Sequence, residues 1–419
     1  MKKLVLFVCL FQFGILSAQE SIFSKANVEI SPILNLQAWS TYTLGQEVFN
    51  EATGRYEAVD DRINFQMRRM NLGFKGKAFG RFQFTLLGAY DFVGRDLLTG
   101  PVGISNNGGS PIFRLWTAKL QWQAIKSSEL LYLTFGYFPP QVSRESISSG
   151  YRVGTFEKAW SQNYIRRHIV GTGPGRSVGL NVGGMYMQGA DSKFALSYNI
   201  GLFNPTFAVP GNISAGVRQS PVLAYQLAFH LGDPEFKKYS TGHKFNHFGK
   251  RKGLTLALSG TENGQMATWE SNRSIGLDLL FNWNQFNLSG EWMQLSREGE
   301  AGNISSNVGH IKLGYNIPIG KEITISPVIA YVFFLGEEGL TEQLTASALG
   351  SFSGTDTYWD FVLNVYFGQN MYLSLAYVAR DGSFGQWGNG FTGNNYFSQG
   401  GIGAIQRGDY LGLGFVFLY

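Results

Sequence analysis

The sequence is poor in charge, in cysteine and in long apolar runs. Charged residues are 15% of the chain, against about 25% in ordinary soluble proteins. Cys9 is the one cysteine in 419 residues, which excludes internal disulfides and clusters of cysteine ligands. The N-terminal apolar run, Leu4 to Leu16, is shorter than the roughly 20 residues that a membrane-spanning helix needs. A mean hydropathy of −0.07 likewise excludes a bundle of membrane helices.

The N-terminus has the features of an export signal. Two lysines follow the initiator methionine, and the apolar run Leu4 to Leu16 leads to the small residue Ala18. This order predicts a secretory signal peptide over residues 1–18 and a mature chain that starts at Gln19. Cleavage would also remove Cys9, so the mature chain would have no cysteine nucleophile. We expect residues 19–419 to form a single exported domain.

Glycine and aromatic residues are abundant, with 54 Gly, 34 Phe, 20 Tyr and 9 Trp. The rest of the chain alternates apolar with polar or small residues, as where Ile275, Leu277 and Leu279 alternate with Gly276 and Asp278. A period of two predicts strands with one apolar face. Sixteen such segments are predicted: 28–41, 62–78, 81–93, 111–124, 129–138, 176–188, 192–203, 220–232, 253–260, 272–283, 286–296, 306–317, 322–334, 357–367, 371–380 and 409–419.

The links between these segments alternate between short and long. Short links lie near 79–80, 125–128, 189–191, 284–285, 318–321 and 368–370, and long links near 42–61, 94–110, 139–175, 204–219, 261–271, 297–305, 335–356 and 381–408. This alternation is typical of membrane barrels, which have tight turns on one side and long loops on the other. The link 233–252 breaks the rule, because it has twenty residues where a tight turn is expected.

Several features favour apolar faces that contact lipid. Many segments are long enough for a tilted bilayer crossing. The last segment ends with an aromatic residue, Tyr419, and this resembles the assembly signal of outer-membrane proteins. Aromatic residues near segment ends predict interfacial girdles: Phe92, Trp116, Trp122, Trp283 and Trp292. We therefore predict an all-β, transmembrane, antiparallel barrel of about 16 strands, whose apolar side chains face outward around an aqueous channel. A soluble secreted β-sandwich or propeller, with its apolar side chains inside, is the alternative.

Basic residues are concentrated in the link 139–175. Counted with Arg176, it has six basic and two acidic residues, a net charge of +4. Long links are commonly functional, and a cationic constriction favours anions. We predict that this link folds toward the lumen and that a set of basic residues binds anions there: Arg144, Arg152, Lys158, Arg166, Arg167 and Arg176, with Arg69, Lys75, Arg81 and Lys119 from the strands. The alternative is a solvated loop outside the barrel.

The alternation changes phase at Arg68-Arg69, which predicts a β-bulge.

Motifs for catalysis are weak. Gly175 to Gly179 has the G-x-S-x-G spacing, but a loop precedes it and a strand follows, whereas the nucleophile elbow needs a strand and then a helix. His243 and His247 have no evident third ligand for zinc. We expect neither enzyme activity nor a cofactor or metal.

The chain resembles the phosphate-selective porin O and P family of Gram-negative outer membranes. The similarity is carried, in order, by Arg68-Arg69 before LGFKGK, by FGYFPPQVSRE at Phe135 to Glu145, by Arg176 with SVGLNVGG and by GLFN at Gly201 to Asn204. The resemblance implies a homotrimeric outer-membrane porin in contact with lipid and lipopolysaccharide. It further implies passive diffusion of small polar or anionic solutes such as phosphate; no nucleic-acid partner is expected. A barrel used for surface binding or catalysis is the alternative function.

Overall fold

The computed structural model describes residues 28–50, 52–94, 113–189, 192–205, 219–382, 398–399, 405–406 and 408–419. The predicted signal peptide lies outside these residues. The described chain forms sixteen barrel strands: β1 (Val28–Leu44), β2 (Ile63–Ala78), β3 (Phe82–Val93), β4 (Arg114–Gln123), β5 (Tyr132–Phe138), β6 (Ser177–Met187), β7 (Phe194–Phe203), β8 (Val222–Gly232), β9 (Gly253–Asn263), β10 (Ser271–Trp283), β11 (Phe286–Gly299), β12 (Gly302–Tyr315, resumed as Ile317–Ile319), β13 (Ile323–Leu335), β14 (Thr355–Phe367), β15 (Met371–Asp381) and β16 (Asp409–Leu418).

Each barrel strand pairs antiparallel with its neighbours in the sequence, and the last strand pairs with the first. The closing pair, β1 with β16, runs from Asn35 opposite Leu418 to Leu44 opposite Asp409. Closure gives backbone groups partners inside the sheet, which lipid cannot supply. The prediction of an all-β, antiparallel barrel of sixteen strands is confirmed.

Smaller elements lie in the links. The helices among the described residues are α1 (Arg144–Ile147), α2 (Ser161–Val170) and α3 (Leu340–Ala348), and a separate sheet contains the short strands Glu47–Asn50, Arg55–Ala58, Ser398–Gln399 and Ile405–Gln406. In the part of the chain that the structure covers, no helix has the length and apolarity required to cross a membrane.

The barrel strands expose apolar side chains and bury polar ones. On β10, Leu277 is 57% exposed, whereas Asp278, Ser274 and Asn282 are buried. The final strand has the same polarity, with Leu413 exposed 55%. This distribution is the reverse of that in a soluble domain, where apolar side chains fill the interior. Exposed apolar and buried polar side chains are the arrangement required by a barrel that contacts lipid outside and encloses a polar lumen.

Part of the barrel interior is nevertheless apolar, which differs from the prediction of a wholly aqueous channel. Val328 and Val332 of β13 and Val362 of β14 point inward, and they belong to one buried cluster with Phe156 and Phe245 from the links. Inward apolar side chains are stable there because the link residues cover them and exclude water. The interior therefore has a dry side, next to β10–β16.

One link and one strand irregularity can be compared with the sequence patterns. The predicted long link 297–305 is a two-residue turn, because β11 and β12 pair as far as Gly299 and Gly302. The strands continue here with mostly polar or small residues, and Ile304 is buried, so no exposed apolar face reveals them in the sequence. The predicted bulge is confirmed, because Gln37 pairs with Arg69 and Ala38 with Met67, leaving Arg68 as the extra residue.

Candidate functional site

Residues 139–176, called the lumen loop below, lie against the inner face of the barrel. Lys312 of β12 donates a hydrogen bond from Nζ to Glu145 Oε1 at 2.7 Å. The backbone N–H of Trp160 donates to the hydroxyl of Tyr358 on β14 at 2.9 Å. These contacts join the loop to strands that are far away in the sequence, and they hold it inside the barrel.

The charge of Glu145 is stabilised by its surroundings. Burial alone would raise the pKa of this carboxyl group, but Lys312, His310 and Lys158 outweigh burial and lower the pKa to about 2. Glu145 also accepts a hydrogen bond from the backbone N–H of Ala159 at 2.7 Å. The carboxylate therefore stays ionised at neutral pH and fixes the loop to the wall.

A cavity of about 520 Å³ lies between the lumen loop and strands β1–β4. Nine basic side chains line it: Arg68, Arg69, Lys75, Arg114, Lys119, Lys158, Arg166, Arg167 and Arg176. Among the described residues that line it, Asp91 is the one carboxylate, and it forms an ion pair with Arg114. The cavity is consequently a strongly positive region on the wet side of the barrel.

The bulge in β2 accounts for two of these cations. Consecutive strand residues normally face opposite sides, but the extra residue turns both Arg68 and Arg69 toward the lumen, where both are buried. Glu157 of the lumen loop pairs with both guanidinium groups, at 2.6 Å from Arg68. Burial alone would raise the pKa of Glu157, but the two arginines lower it below its usual value.

Cations of the lumen loop are crowded together. Burial, and then the charge of Arg166, lower the pKa of Lys158 well below its ordinary value, and they do the same for Arg176. Lys158 donates to the carbonyl oxygens of Ser146 at 3.1 Å and Ser148 at 2.7 Å. Neutral carbonyl oxygens hold Lys158 in place, and an added anion would relieve the repulsion between these crowded cations and stabilise their charged forms.

Seven of the ten basic residues predicted from the sequence line this cavity: Arg69, Lys75, Lys119, Lys158, Arg166, Arg167 and Arg176. Arg144 does not line it. Arg144 is buried between Glu235, at 2.9 Å, and Asp278, at 2.7 Å. Arg152 is exposed, and its carbonyl oxygen accepts from the N–H of Phe245.

Arg81 lies elsewhere, at the tight turn between β2 and β3. Its guanidinium donates to the carbonyl oxygens of Gln123, at 2.9 Å, and Ala124. It also lies over the ring of Trp122, 5.4 Å from the centroid. These contacts place Arg81 in a turn-stabilising position at the rim, away from the lining of the cationic cavity.

The sequence patterns missed several residues that line the cavity. Arg114 and Arg68 belong to it, as do Thr241 and His243 from the link 233–252. The bulge at Arg68-Arg69 is the sequence signal for Arg68. For Thr241 and His243, the only signal is the unusual length of their link.

Two residues predicted for the aromatic girdles instead line the cavity, namely Trp116 and Phe92. A register shift opposite Leu87 and Gly88 inserts an extra residue in β4, and this turns Trp116 inward. The guanidinium of Arg176 lies over the Trp116 ring at 3.7 Å. Phe92 has a positive φ of 60° and lies beneath the guanidinium of Arg68.

The fold, the apolar exterior and the cationic lumen together define an outer-membrane porin of the Gram-negative type, and they point to a channel rather than an enzyme. Residues 45–216 match the model of the phosphate-selective porin O and P family. The predicted resemblance is thereby confirmed. No curated protein sequence matches the chain.

Solved structures with low sequence identity have a similar fold. OprB of Pseudomonas putida is 11% identical, with a TM-score of 0.58 and 96% of each chain covered. The anion-selective porin of Comamonas acidovorans is 12% identical, with a TM-score of 0.55, 94% of this chain and 100% of that chain covered. The trimer form of OmpT from Vibrio cholerae is 8% identical, with a TM-score of 0.50, 94% and 99% covered.

Proposed function

We propose that this porin is a passive diffusion channel for small hydrophilic solutes that prefers anions, phosphate among them. The observation that carries the proposal is the composition of the cationic cavity, which is lined, among the described residues, by nine basic side chains and one carboxylate. A low-dielectric wall focuses the field of such a group into the lumen, which raises the local concentration of anions. Rings of Arg and Lys favour anions in pores for the same reason.

The test is the reversal potential of purified protein in a planar bilayer under a KCl gradient. We expect anion preference in the wild type, and a shift toward cations after Arg166→Glu with Arg167→Glu, because four charge units change at the cavity wall. The matched control is Lys126→Glu with Lys321→Glu, since both lysines lie exposed on tight turns and neither lines the cavity. A cation-selective wild type, or equal shifts in both double variants, would contradict the proposal.

A second candidate function is a barrel whose lumen is blocked and which acts in surface binding or catalysis. The apolar cluster of Phe156 and Phe245 with the inward valines of β13 and β14 favours it, because it closes one side of the interior. Such a protein would insert into bilayers without any conductance. Conductance that phosphate reduces in a chloride solution would support the channel instead.

The proposal includes a homotrimer in contact with lipid and lipopolysaccharide. The trimeric form in which OmpT of Vibrio cholerae was solved supports the trimer. Exposed apolar side chains on several strands, such as Leu277 on β10 and Ile311 on β12, support the contact with lipid. Mass measurement of the protein in detergent tests the trimer, and a monomeric mass would contradict it.

A further inference from the structure

The unusual link 233–252, called the floor segment below, crosses the lumen from the short-turn side. It contacts strands on one side of the barrel first. The Tyr239 hydroxyl lies within hydrogen-bond distance of Asn181 on β6 and Asn199 on β7. The Tyr239 ring stacks on Tyr132 of β5, with ring centroids 4.9 Å apart.

The same segment is also attached to strands β10–β12. The side chains of Asn246 and Asn316 exchange two hydrogen bonds, at 2.8 and 2.9 Å, beside the break in β12. Asn282 of β10 donates to the carbonyl oxygen of Phe245 at 3.2 Å. Because its anchors lie on β5–β7, on β10–β12 and, through the ring of Phe248, on β14, the segment spans the interior as a floor.

The floor segment is joined to the lumen loop as well. Glu235, whose side chain is fully buried, accepts from Arg144 Nη1 at 2.9 Å and contacts His243 Nδ1 at 2.8 Å. Burial alone would raise the pKa of Glu235, but Arg144 and His243 lower it well below its usual value. The N–H of Phe245 donates to the carbonyl oxygen of Arg152 at 3.1 Å. Two insertions, one from each side of the barrel, therefore support each other.

Below the cationic cavity lies a second cavity of about 340 Å³, lined by Tyr239 and Ser240 and by strands β1–β4. Four residues line both cavities: Lys75, Thr85, Lys119 and Thr241. The Nζ of Lys119, on the wall, donates to Oγ1 of Thr241, on the floor segment, at 2.6 Å. The two cavities therefore meet at a neck that this hydrogen bond crosses.

We propose that the floor segment forms a second constriction of the pore and that Thr241 is a specificity-determining residue at its neck. The inference rests on the proposed function, whose solutes would pass from the upper to the lower cavity. A solute can pass only when Lys119 and Thr241 separate. A small oxyanion of the size of phosphate compensates for that separation, because its oxygen accepts the hydrogen bond that Lys119 otherwise gives to the hydroxyl. A neutral solute accepts only a weaker hydrogen bond from Lys119, since its oxygen carries no charge.

Cysteine modification tests the neck directly, because Cys9 is the one native cysteine and lies within the predicted signal peptide. Purified Thr241→Cys protein is recorded in a planar bilayer before and after an anionic or a cationic methanethiosulfonate reagent. We expect either reagent to lower the single-channel conductance by about twofold or more, because both narrow the neck. The matched control is Lys126→Cys, an exposed position on a tight turn that lines neither cavity.

Complete labelling at position 241, verified by mass spectrometry, with unchanged conductance would overturn the proposal. If Thr241→Cys fails to fold, Gly242→Cys replaces it, since a Cβ at Gly242 meets no atom within 4 Å. The wild-type reversal potential tests the proposed function separately. A conductance drop on labelling in a channel without anion preference would support the neck and contradict only the anion preference.

Discussion

Replacing Glu157 by Gln removes the charge that holds both bulge arginines. The Glu157 side chain is 5% exposed, and it accepts from Arg68, from Arg69 and from the backbone N–H of Lys158 at 2.8 Å. Breaking a buried pair by removing one partner costs about 3–5 kcal/mol, because the remaining charge stays buried and uncompensated. Two arginines share this partner, so we expect the free energy of unfolding to fall within that range.

Urea unfolding of the barrel in lipid vesicles, followed by heat-modifiable gel mobility, measures this change. The control is Glu57→Gln, whose side chain lies on an exposed link and whose replacement should leave the unfolding midpoint unchanged. Because the folded-state pKa of Glu157 is lowered, its contribution is complete above the usual pKa of 4.5 and is lost as pH falls through the lowered value. A loss below about 1 kcal/mol, the range of surface pairs, would refute the reasoning.

Three further changes have defined outcomes. Phe156→Ala removes a ring stacked on Trp39, with centroids 4.4 Å apart; the unfolding free energy should fall by about 3–5 kcal/mol, and an unchanged urea midpoint would contradict this packing. Glu235→Gln breaks the ion pair with Arg144, so the floor segment should loosen and single-channel conductance should rise; an identical conductance histogram would argue against it. Glu145 stabilises the fold above its usual pKa of 4.5 and loses this effect as pH falls toward about 2; urea midpoints of Glu145→Gln should lack this acid-dependent decline, and parallel pH profiles would exclude the role.

The barrel strands could be predicted from the sequence because their signal is local. Each crossing has to present an apolar face to hydrocarbon, so residues such as Ile275 and Leu277 recur with a period of two. The bulge was predictable for the same reason, since one extra residue at Arg68 changes the phase of that period. Strand ends beyond the bilayer lack this constraint, and the turn between Gly299 and Gly302 was missed there.

The interior could be predicted only in part, because its contacts join distant residues. The charge of the lumen loop can be counted in the sequence. Nothing local, however, distinguishes Arg166, which lines the cavity, from Arg144, which forms ion pairs with Glu235 and Asp278. For the floor segment, the sequence shows only a link that is unusually long for its place between two strands. Its position depends on partners such as Asn316, which are ordinary polar residues until the barrel closes.

The barrel interior is packed with side chains on one side and holds a cavity on the other, and this division affects how the sequence can evolve. On the side next to β10–β16, Phe156, Phe245 and the inward valines form one buried apolar cluster. Substitutions there change the free energy of unfolding. The side next to β1–β4 borders the cationic cavity. Substitutions at Lys75 or Lys119 change the passage of solutes there and have little effect on packing. Permeability and stability therefore depend largely on different strands, and the pairs of Arg68 and Arg69 with Glu157 are the place where the two properties are linked.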